Sequence, residues 1–404
     1  MKRILIPVIF HLMAHAVSGQ LNGSYTIPGS PYPTVASAIA ALNASGVGSG
    51  GVTFNVTAGY TETFTTATAG YITSNKGTFS NQIIFQESGA GVNPKITAPA
   101  GSGSMDAIIC FNCVKYITFN GIDLSENGSN TNNTTRMEWG YAILKASGTQ
   151  GSQNITIQNC TITLSASNQA TCCIYSMNHT TVSTNQLTVT SVSGQNSNIK
   201  LYGNTCTNTY QGIFVWGYAD PNAPFTFYDQ NNDIGSVAGN TVINFGGPAA
   251  VNVYWVYCKY VNNLTVANSN INGGSGTTYC LDGVYVVAGG NTNLNIYSNT
   301  ITLSSTVCGD WINGIYIDGT NAGTTNTLNI YNNTVSGCIL PAASAKECYF
   351  IYNSVPAATV NIYGNTVSNN TIGRQSTQYM IGTNTGITGN VYNNTVSGNQ
   401  FTGG

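Results

Sequence analysis

A short phrase centred on asparagine recurs along the chain and restricts its fold more than any other feature. The phrase reads NIYSNTITLS from Asn295, NIYNNTVSGC from Asn329, NIYGNTVSNN from Asn361 and NVYNNTVSGN from Asn390. Aligned on the position before the threonine, it returns every 29 to 36 residues, at Asn204, Asn240, Ser269, Asn299, Asn333, Asn365 and Asn394. Such a period indicates stacked units that pack mainly on their neighbours.

Within each unit, apolar residues alternate on both sides of this position. Leu294 and Ile296 precede Asn299, and Ile301 and Leu303 follow it. A period of two indicates strands with one buried face, and the break between them indicates a bend. Asparagine suits a bend because it tolerates the left-handed backbone region, and its amide can bond the same amide one unit away. We therefore predict a structural asparagine ladder at Asn204, Asn240, Asn299, Asn333, Asn365 and Asn394.

A second alternating stretch follows in each unit, as in GIFVW at Gly212, GVYVV at Gly283 and GIYID at Gly314. Two or three short strands per unit predict an all-β chain, folded as a single-stranded parallel β-helix of about ten coils over residues 81–404. Leu has no periodicity that would favour a leucine-rich repeat, and a propeller blade needs four strands in roughly 40–45 residues. Because composition is uniform, we expect one elongated domain.

Residues 20–80 are expected to cap this solenoid, since natural proteins cover open sheet edges. The stretch PTVASAIAALNASG predicts a short amphipathic helix with Thr34 as N-cap and Gly46 beyond its end. The alternating stretch GVTFNV from Gly51 predicts the first strands.

The order of a capping helix, a strand from Val52 to Val56, the turn from Ala58 to Glu62 and Asn-rich coils resembles the pectin-lyase-like right-handed parallel β-helix superfamily. It is most similar in style to secreted cell-surface β-helix proteins of Bacteroidetes-type bacteria. The resemblance implies a right-handed coil. Its members include polysaccharide lyases, glycoside hydrolases, esterases, tailspikes and adhesins, so the fold does not choose a function.

The first nineteen residues have the pattern of a secretory signal peptide. Lys2 and Arg3 precede an apolar run, and small residues end at Gly19, which predicts cleavage before Gln20. We expect a secreted protein, extracellular or at the cell surface, without membrane insertion. Only 6% of residues are charged, which excludes the basic footprint of a nucleic-acid-binding protein.

Eleven cysteines in an exported chain predict disulfides. Cys338 with Cys348, and Cys280 with Cys308, are the candidate pairs. Zinc is disfavoured because His179 is the only histidine beyond the signal segment. We expect the imidazole of His179 to be exposed.

No cofactor or metal is predicted. The nearest approach to a calcium loop is Asp229, Asn231 and Asp233, three oxygen ligands at alternate positions. Ile234, however, stands where such a loop requires glycine, and a polar surface loop is the simpler interpretation.

Acidic residues are few and mostly isolated. Asp282, Asp310 and Asp318 fall near equivalent positions of two successive units, and they are the catalytic candidates if the chain is a glycosidase. The simpler interpretation is that they are turn residues.

Aromatic residues recur at outward strand positions. One predicted ladder consists of Tyr202, Tyr297, Tyr331, Tyr363 and Tyr392, and a second of Phe214, Tyr285 and Tyr316. Such rows stabilise parallel strands, pack against another protein or bind sugar rings.

The sequence therefore predicts a non-catalytic extracellular structural or adhesive protein. Its expected partners are further copies of itself, assembled end to end or laterally through the tyrosine rows, or a surface polysaccharide. The alternative is a carbohydrate-active enzyme, a polysaccharide lyase or glycoside hydrolase, or a glycan-binding protein.

Overall fold

The structure is a computed structural model that describes residues 19–73, 77–319, 322–323, 325–340, 347–373, 377–384 and 388–402. Nearly all of the predicted signal peptide therefore lies outside the described residues. The chain winds into a right-handed parallel β-helix of about 11 turns, which confirms the predicted fold class. All pairs between its strands are parallel, and three long sheets, named A, B and C here, form its sides.

Each turn contributes one strand to each long sheet in most of the described chain. Sheet A contains Leu21–Ile27, Val47–Thr57, Ile83–Ser88, Lys115–Asn120, Gln153–Gln158, Lys200–Tyr202, Asp233–Ile234, Leu264–Ala267, Leu294–Tyr297, Thr327–Tyr331, Thr359–Tyr363 and Thr388–Tyr392. Sheet B contains Thr61–Thr63, Lys95–Thr97, Asp123–Ser125, Thr161–Thr163, Thr205–Thr209, Thr241–Phe245, Asn270–Gly273, Thr300–Leu303, Thr334–Ser336, Thr366–Ser368 and Thr395–Ser397. Sheet C contains Tyr71–Ile72, Ala107–Asn112, Trp139–Leu144, Cys172–Met177, Gln211–Trp216, Val253–Lys259, Leu281–Ala288, Ile312–Gly319, Cys348–Asn353 and Gln378–Thr383.

Short strands complete some turns. They are Asp229–Gln230 with Val261–Asn262, and Ile339–Leu340, Thr371–Ile372 and Gln400–Phe401. A 3₁₀ turn spans Val192–Gly194.

One α-helix, Val35–Ser45, covers the first coil, as predicted. The Thr34 side chain accepts a hydrogen bond from the Ser37 N–H at 3.0 Å, and the Glu62 carboxylate accepts the Val35 N–H at 2.7 Å. A carboxylate at this end also suits the helix dipole. Sheet A begins at Leu21, before the helix, so the cap and the solenoid are continuous. No helix in the described ranges has the length and apolarity to cross a bilayer.

The asparagine phrase forms the corner between sheets A and B. Asn299, Asn333 and Asn365 are buried, and the Asn333 amide donates to Asn365 Oδ1 at 3.0 Å and to the Ile296 carbonyl at 2.9 Å. The left-handed residue is not the ladder asparagine but the one before it, as at Ser298, whose φ is 55°. The bend and the ladder therefore use different residues, because a buried amide must face the interior to reach the next coil.

At one inward position of sheet C, glycine on one coil lies next to a bulky residue on the neighbouring coil. Trp255 is fully buried, and a Cβ added at Gly212 on the preceding coil would lie 2.9 Å from its ring. A Cβ at Gly283 would meet the Ile301 side chain of sheet B at 3.0 Å. Glycine is needed here because the narrow core has no room for a side chain beside a bulky neighbour.

One disulfide forms among the described residues, and it was not predicted. Cys173 of sheet C pairs with Cys206 of sheet B on the next coil, with Cα atoms 5.9 Å apart. The two predicted pairs do not form, because Cys280, Cys338 and Cys348 are buried free thiols. Cys308 Sγ instead donates to the Tyr279 carbonyl at 2.6 Å, and Cys338 Sγ accepts the Leu303 N–H at 3.2 Å.

Candidate functional site

The outer surface of sheet C carries more aromatic rings than the sequence analysis predicted. Strand register aligns one outward position on six successive strands, occupied by Tyr175, Phe214, Tyr257, Tyr285, Tyr316 and Tyr352. The neighbouring column contains Tyr254, Asp282, Asn313, Tyr349 and Tyr379. We call the rings from Tyr254 to Tyr379 in these two columns the aromatic face.

The rings of the aromatic face are in contact, nearly parallel at several steps along each column and tilted between the columns. The planes of Tyr257 and Tyr285 are 23° apart, those of Tyr316 and Tyr352 13°, and those of Tyr349 and Tyr379 3°. Tyr285 lies 5.5 Å from Tyr316 with 37° between the planes, and 5.4 Å from Tyr254 with 64° between the planes. Tyr316 and Tyr349 are 5.0 Å apart at 52°. Six of these side chains are partly buried and Tyr379 is 38% exposed, so each ring keeps some surface open to solvent.

The tyrosines of sheet A are arranged differently. Tyr297, Tyr331, Tyr363 and Tyr392 stack at 4.9 to 5.1 Å with only 3° to 11° between neighbouring planes. Each inner ring is therefore covered on both faces by its neighbours. Tyr202 does not join this stack, because its hydroxyl donates to Asp233 Oδ2 at 2.7 Å and Ala267 precedes Tyr297 in the column.

Asp282 lies within the aromatic face and is 2% exposed. The Asn313 amide on the next coil donates to its Oδ1. Burial raises the pKa of Asp282 to about 8, and the Asn313 bond only partly opposes this effect. Near neutral pH the side chain is therefore mainly a neutral carboxylic acid.

Asp318 lies on the other side of Tyr285. Its Oδ2 accepts a hydrogen bond from the Tyr285 hydroxyl at 2.7 Å. Lys259 is nearby, with its Nζ 4.8 Å from the centre of the Trp216 ring, and burial lowers the pKa of Lys259 while Asp318 raises it. This end of the face therefore offers charged groups beside aromatic rings.

The structure separates Asp282 from Asp318. Burial raises the pKa of the Cys280 and Cys308 thiols, and Asp282 and Asp310 both lie close enough to these thiols to raise it further. Asp282 is aligned with Asn313, and Asp318 with Val287, five positions further along the strand. At ~3.3 Å per residue the two backbones are on the order of 15 Å apart. Asp310 precedes its strand, and its carboxylate accepts the Trp311 N–H at 3.1 Å.

The calcium candidates are directed to different partners. Asp229 is fully buried beside Lys145, whereas Asp233 accepts from Tyr202. Asn231 exchanges amide hydrogen bonds with asparagines of adjacent coils. Among the described residues no group of three or more His, Cys, Asp and Glu side chains could hold a metal ion.

His179 is buried, so the expectation of an exposed imidazole is wrong. Its Nδ1 lies 2.7 Å from the Thr180 carbonyl, which can only accept, and its Nε2 lies 3.0 Å from the Tyr175 hydroxyl. The proton is therefore assigned to Nδ1. Burial lowers the pKa of His179, and the side chain fixes its loop beside the Trp139 ring.

Sequence reasoning missed most of the aromatic face, namely Tyr254, Tyr257, Tyr349, Tyr352 and Tyr379, and also missed Tyr175 in the same column. The signal was present, because Tyr257 follows Trp255 by two residues, just as Tyr285 follows Gly283. An alignment of the repeats on the glycine before each aromatic residue misses the coils in which a bulky residue, such as Trp255, takes the place of that glycine.

No family model matches the chain, and no curated protein matches it. Among solved structures, the chain is similar to the GH136 lacto-N-biosidase from Eubacterium ramulus, at 13% identity over 93% of this chain and 68% of that one, with a TM-score of 0.49. It is also similar to a mutant of the periplasmic alginate epimerase AlgG, at 10% identity over 81% of this chain and 78% of that one, with a TM-score of 0.34. Identities and TM-scores this low transfer neither activity nor substrate.

Proposed function

We propose that this is an extracellular carbohydrate-binding protein, adhesive rather than catalytic, whose aromatic face binds an extended glycan. The observation that carries the proposal is the pair of adjacent columns of partly exposed rings on sheet C, because sugar rings pack against exposed aromatic faces. The parallel stack on sheet A covers most of its own ring faces, so it is assigned a structural role. Successive coils repeat the rings of sheet C, which suits a chain-like ligand.

Charge on the face favours neutral or amine-bearing sugars over polyuronates. Asp318 and Glu347 accept the hydroxyls of Tyr285 and Tyr349, and Asp282, three residues before Tyr285, adds a carboxyl group that stays mainly protonated near neutral pH. Lys259 is the nearby cation, and burial lowers its pKa. An anionic chain would meet more carboxyl groups than ammonium groups on this surface.

Glycoside hydrolysis is the second candidate, and one observation favours it. A carboxylic acid that stays protonated near neutral pH, as Asp282 does, could donate a proton to a leaving oxygen. The second carboxylate required opposite it, within ~10 Å, is not Asp318, because the Tyr285 ring and several strand positions separate them, and this leaves Asp310 as the partner to test. Binding without cleavage rests on a whole face of rings and is the better supported function.

The binding proposal is tested by affinity electrophoresis of the chain from Gln20 through gels containing neutral, amino-sugar and uronate polysaccharides. The double variant Tyr285→Ala/Tyr316→Ala is expected to weaken binding at least tenfold, about 1.4 kcal/mol. The matched control Tyr331→Ala/Tyr363→Ala removes two rings from sheet A and is expected to retain binding. Loss of binding only in the sheet A variant, or no retardation by any polysaccharide, would refute the proposal.

Catalysis is tested with the same panel. New reducing ends released by the wild type, and absent with Asp282→Asn, would replace the adhesive proposal by the enzymatic one.

Secretion is part of the proposal. The disulfide between Cys173 and Cys206 and the N-terminal sequence pattern support it. N-terminal sequencing of the protein recovered from culture medium or cell surface should begin at Gln20. An intact Met1 start on all of the protein would contradict it.

A further inference from the structure

Lys145 and Asp229 meet in the interior of the solenoid although 84 residues separate them. Lys145 follows the sheet C strand Trp139–Leu144, and Asp229 begins the short strand Asp229–Gln230. Both side chains are 0% exposed, and Lys145 Nζ lies 3.1 Å from Asp229 Oδ1. This is the only salt bridge within the described ranges, and neither the asparagine ladder nor the aromatic face uses it.

The pair lacks the hydrogen bonds that a buried ion pair needs. Asp229 Oδ1 accepts from Lys145 and from the Asn196 N–H at 2.9 Å, but Oδ2 has no donor. An ammonium group has three hydrogens, and Asp229 Oδ1 is the one acceptor that the Lys145 Nζ contacts. Burial lowers the pKa of Lys145 and raises that of Asp229. Without further partners, transfer of one proton to give an amine and a carboxylic acid removes both buried charges.

The carboxyl group is also held in place. Gly217 packs against it, since a Cβ added there would lie 3.1 Å from Asp229 Cγ. The Asn196 N–H fixes Oδ1, and the lysine nitrogen approaches along the same side of the group. An amine held against a fixed carboxyl group reacts with a high effective concentration.

We propose that Lys145 and Asp229 condense into an intramolecular isopeptide bond after folding. The Nζ lone pair attacks Cγ of Asp229 to form a C–N bond, and one Nζ proton passes to Oδ2. The Cγ–Oδ2 bond then breaks, and Oδ2 leaves as water with that proton and the acid proton of the carboxyl group. The other Nζ hydrogen stays on the nitrogen as the amide N–H. No oxidant or reductant is needed.

The surroundings suit each stage of this reaction. The Asn196 N–H donates to Oδ1, where negative charge develops in the tetrahedral intermediate. The oxygen that leaves is Oδ2, which has no hydrogen-bond partner among the described residues. The product keeps the Asn196 bond and removes both the unpartnered oxygen and the buried ammonium group. It also links two separate coils covalently.

The test is the intact mass of the full chain from Gln20, purified folded, then reduced and denatured. The wild type is expected to be lighter than its sequence by one water molecule, and tandem mass spectrometry should find one branched peptide containing Lys145 and Asp229. Lys145→Met fills the same space without an amine, and its mass should equal that of its sequence. This control separates the isopeptide from any other dehydration, which both proteins would share.

A wild-type chain with the full sequence mass and no branched peptide, after prolonged incubation in the folded state, would overturn the proposal. That measurement needs no variant, so it decides the question even if Lys145→Met fails to fold. A lighter mass that maps to any other residue would overturn it equally.

Discussion

Replacing Asp282 by asparagine should change how stability depends on pH. The folded chain keeps the Asp282 carboxyl group protonated up to about pH 8, whereas the unfolded chain releases that proton near the ordinary value of 3.8. The contribution of Asp282 to stability is therefore fully present below about pH 4 and is lost as the pH rises through about 8. At ~1.4 kcal/mol per pH unit, the loss is at most roughly 6 kcal/mol.

Urea unfolding, followed by far-ultraviolet circular dichroism at pH 5, 7 and 9, measures this effect. Asp282→Asn keeps an oxygen acceptor for Asn313 and cannot ionise, so it should gain stability relative to the wild type from pH 5 to pH 9. The difference between the two proteins isolates Asp282 from Glu138, whose pKa burial also raises, to about 7. Asp282→Ala removes the acceptor and should lose stability at every pH.

A difference between wild type and Asp282→Asn that stays constant from pH 5 to pH 9 would refute the reasoning. It would mean that Asp282 titrates alike in the folded and unfolded chains.

Three further substitutions test the architecture. Asn333→Ala should cost about 2 to 4 kcal/mol in thermal or urea unfolding, because it leaves buried groups on two neighbouring coils without partners; a cost below 0.5 kcal/mol would contradict the ladder's role. Gly314→Val should abolish soluble folded protein, since a Cβ there would lie 2.3 Å from the Phe350 carbonyl oxygen, and wild-type protease resistance would disprove this. Cys173→Ala, which removes the bridge to Cys206, should cost about 3 kcal/mol, and an unchanged urea midpoint would count against it.

The corner between sheets A and B could be predicted because its information is local. The phrase around Asn299 contains the alternation, the bend and the ladder residue within ten positions, and it recurs often enough to be aligned. Its detail was still misplaced by one residue, since which residue takes φ near 55° depends on which side chain must enter the core.

The disulfide and the buried ion pair could not be predicted from local patterns. Cys173 and Cys206 lie in different sheets of successive turns, and their meeting depends on how far each coil travels before it returns. The contact between Lys145 and Asp229 also depends on the length of each coil, and it joins residues 84 positions apart in the sequence. The spacing of cysteines in the sequence does not report this geometry, and two cysteines form a bridge only when their side chains face each other across the stacked coils.

The two tyrosine surfaces differ in how many columns of rings they carry. On sheet A, four successive tyrosines form one parallel stack, whereas sheet C has one unbroken column of rings from Tyr175 to Tyr352 and a second column that Asp282 and Asn313 interrupt between Tyr254 and Tyr349. Rings of the two columns meet at an angle, as Tyr254 and Tyr285 do at 64°. Asn313→Tyr would place a further ring in the interrupted column and cover faces of its neighbours, so glycan retardation in affinity gels should fall at least tenfold, while Asn313→Ala adds no ring and should retain binding. Unchanged retardation by Asn313→Tyr, with the fold intact by circular dichroism, would show that the interruption does not create the binding surface.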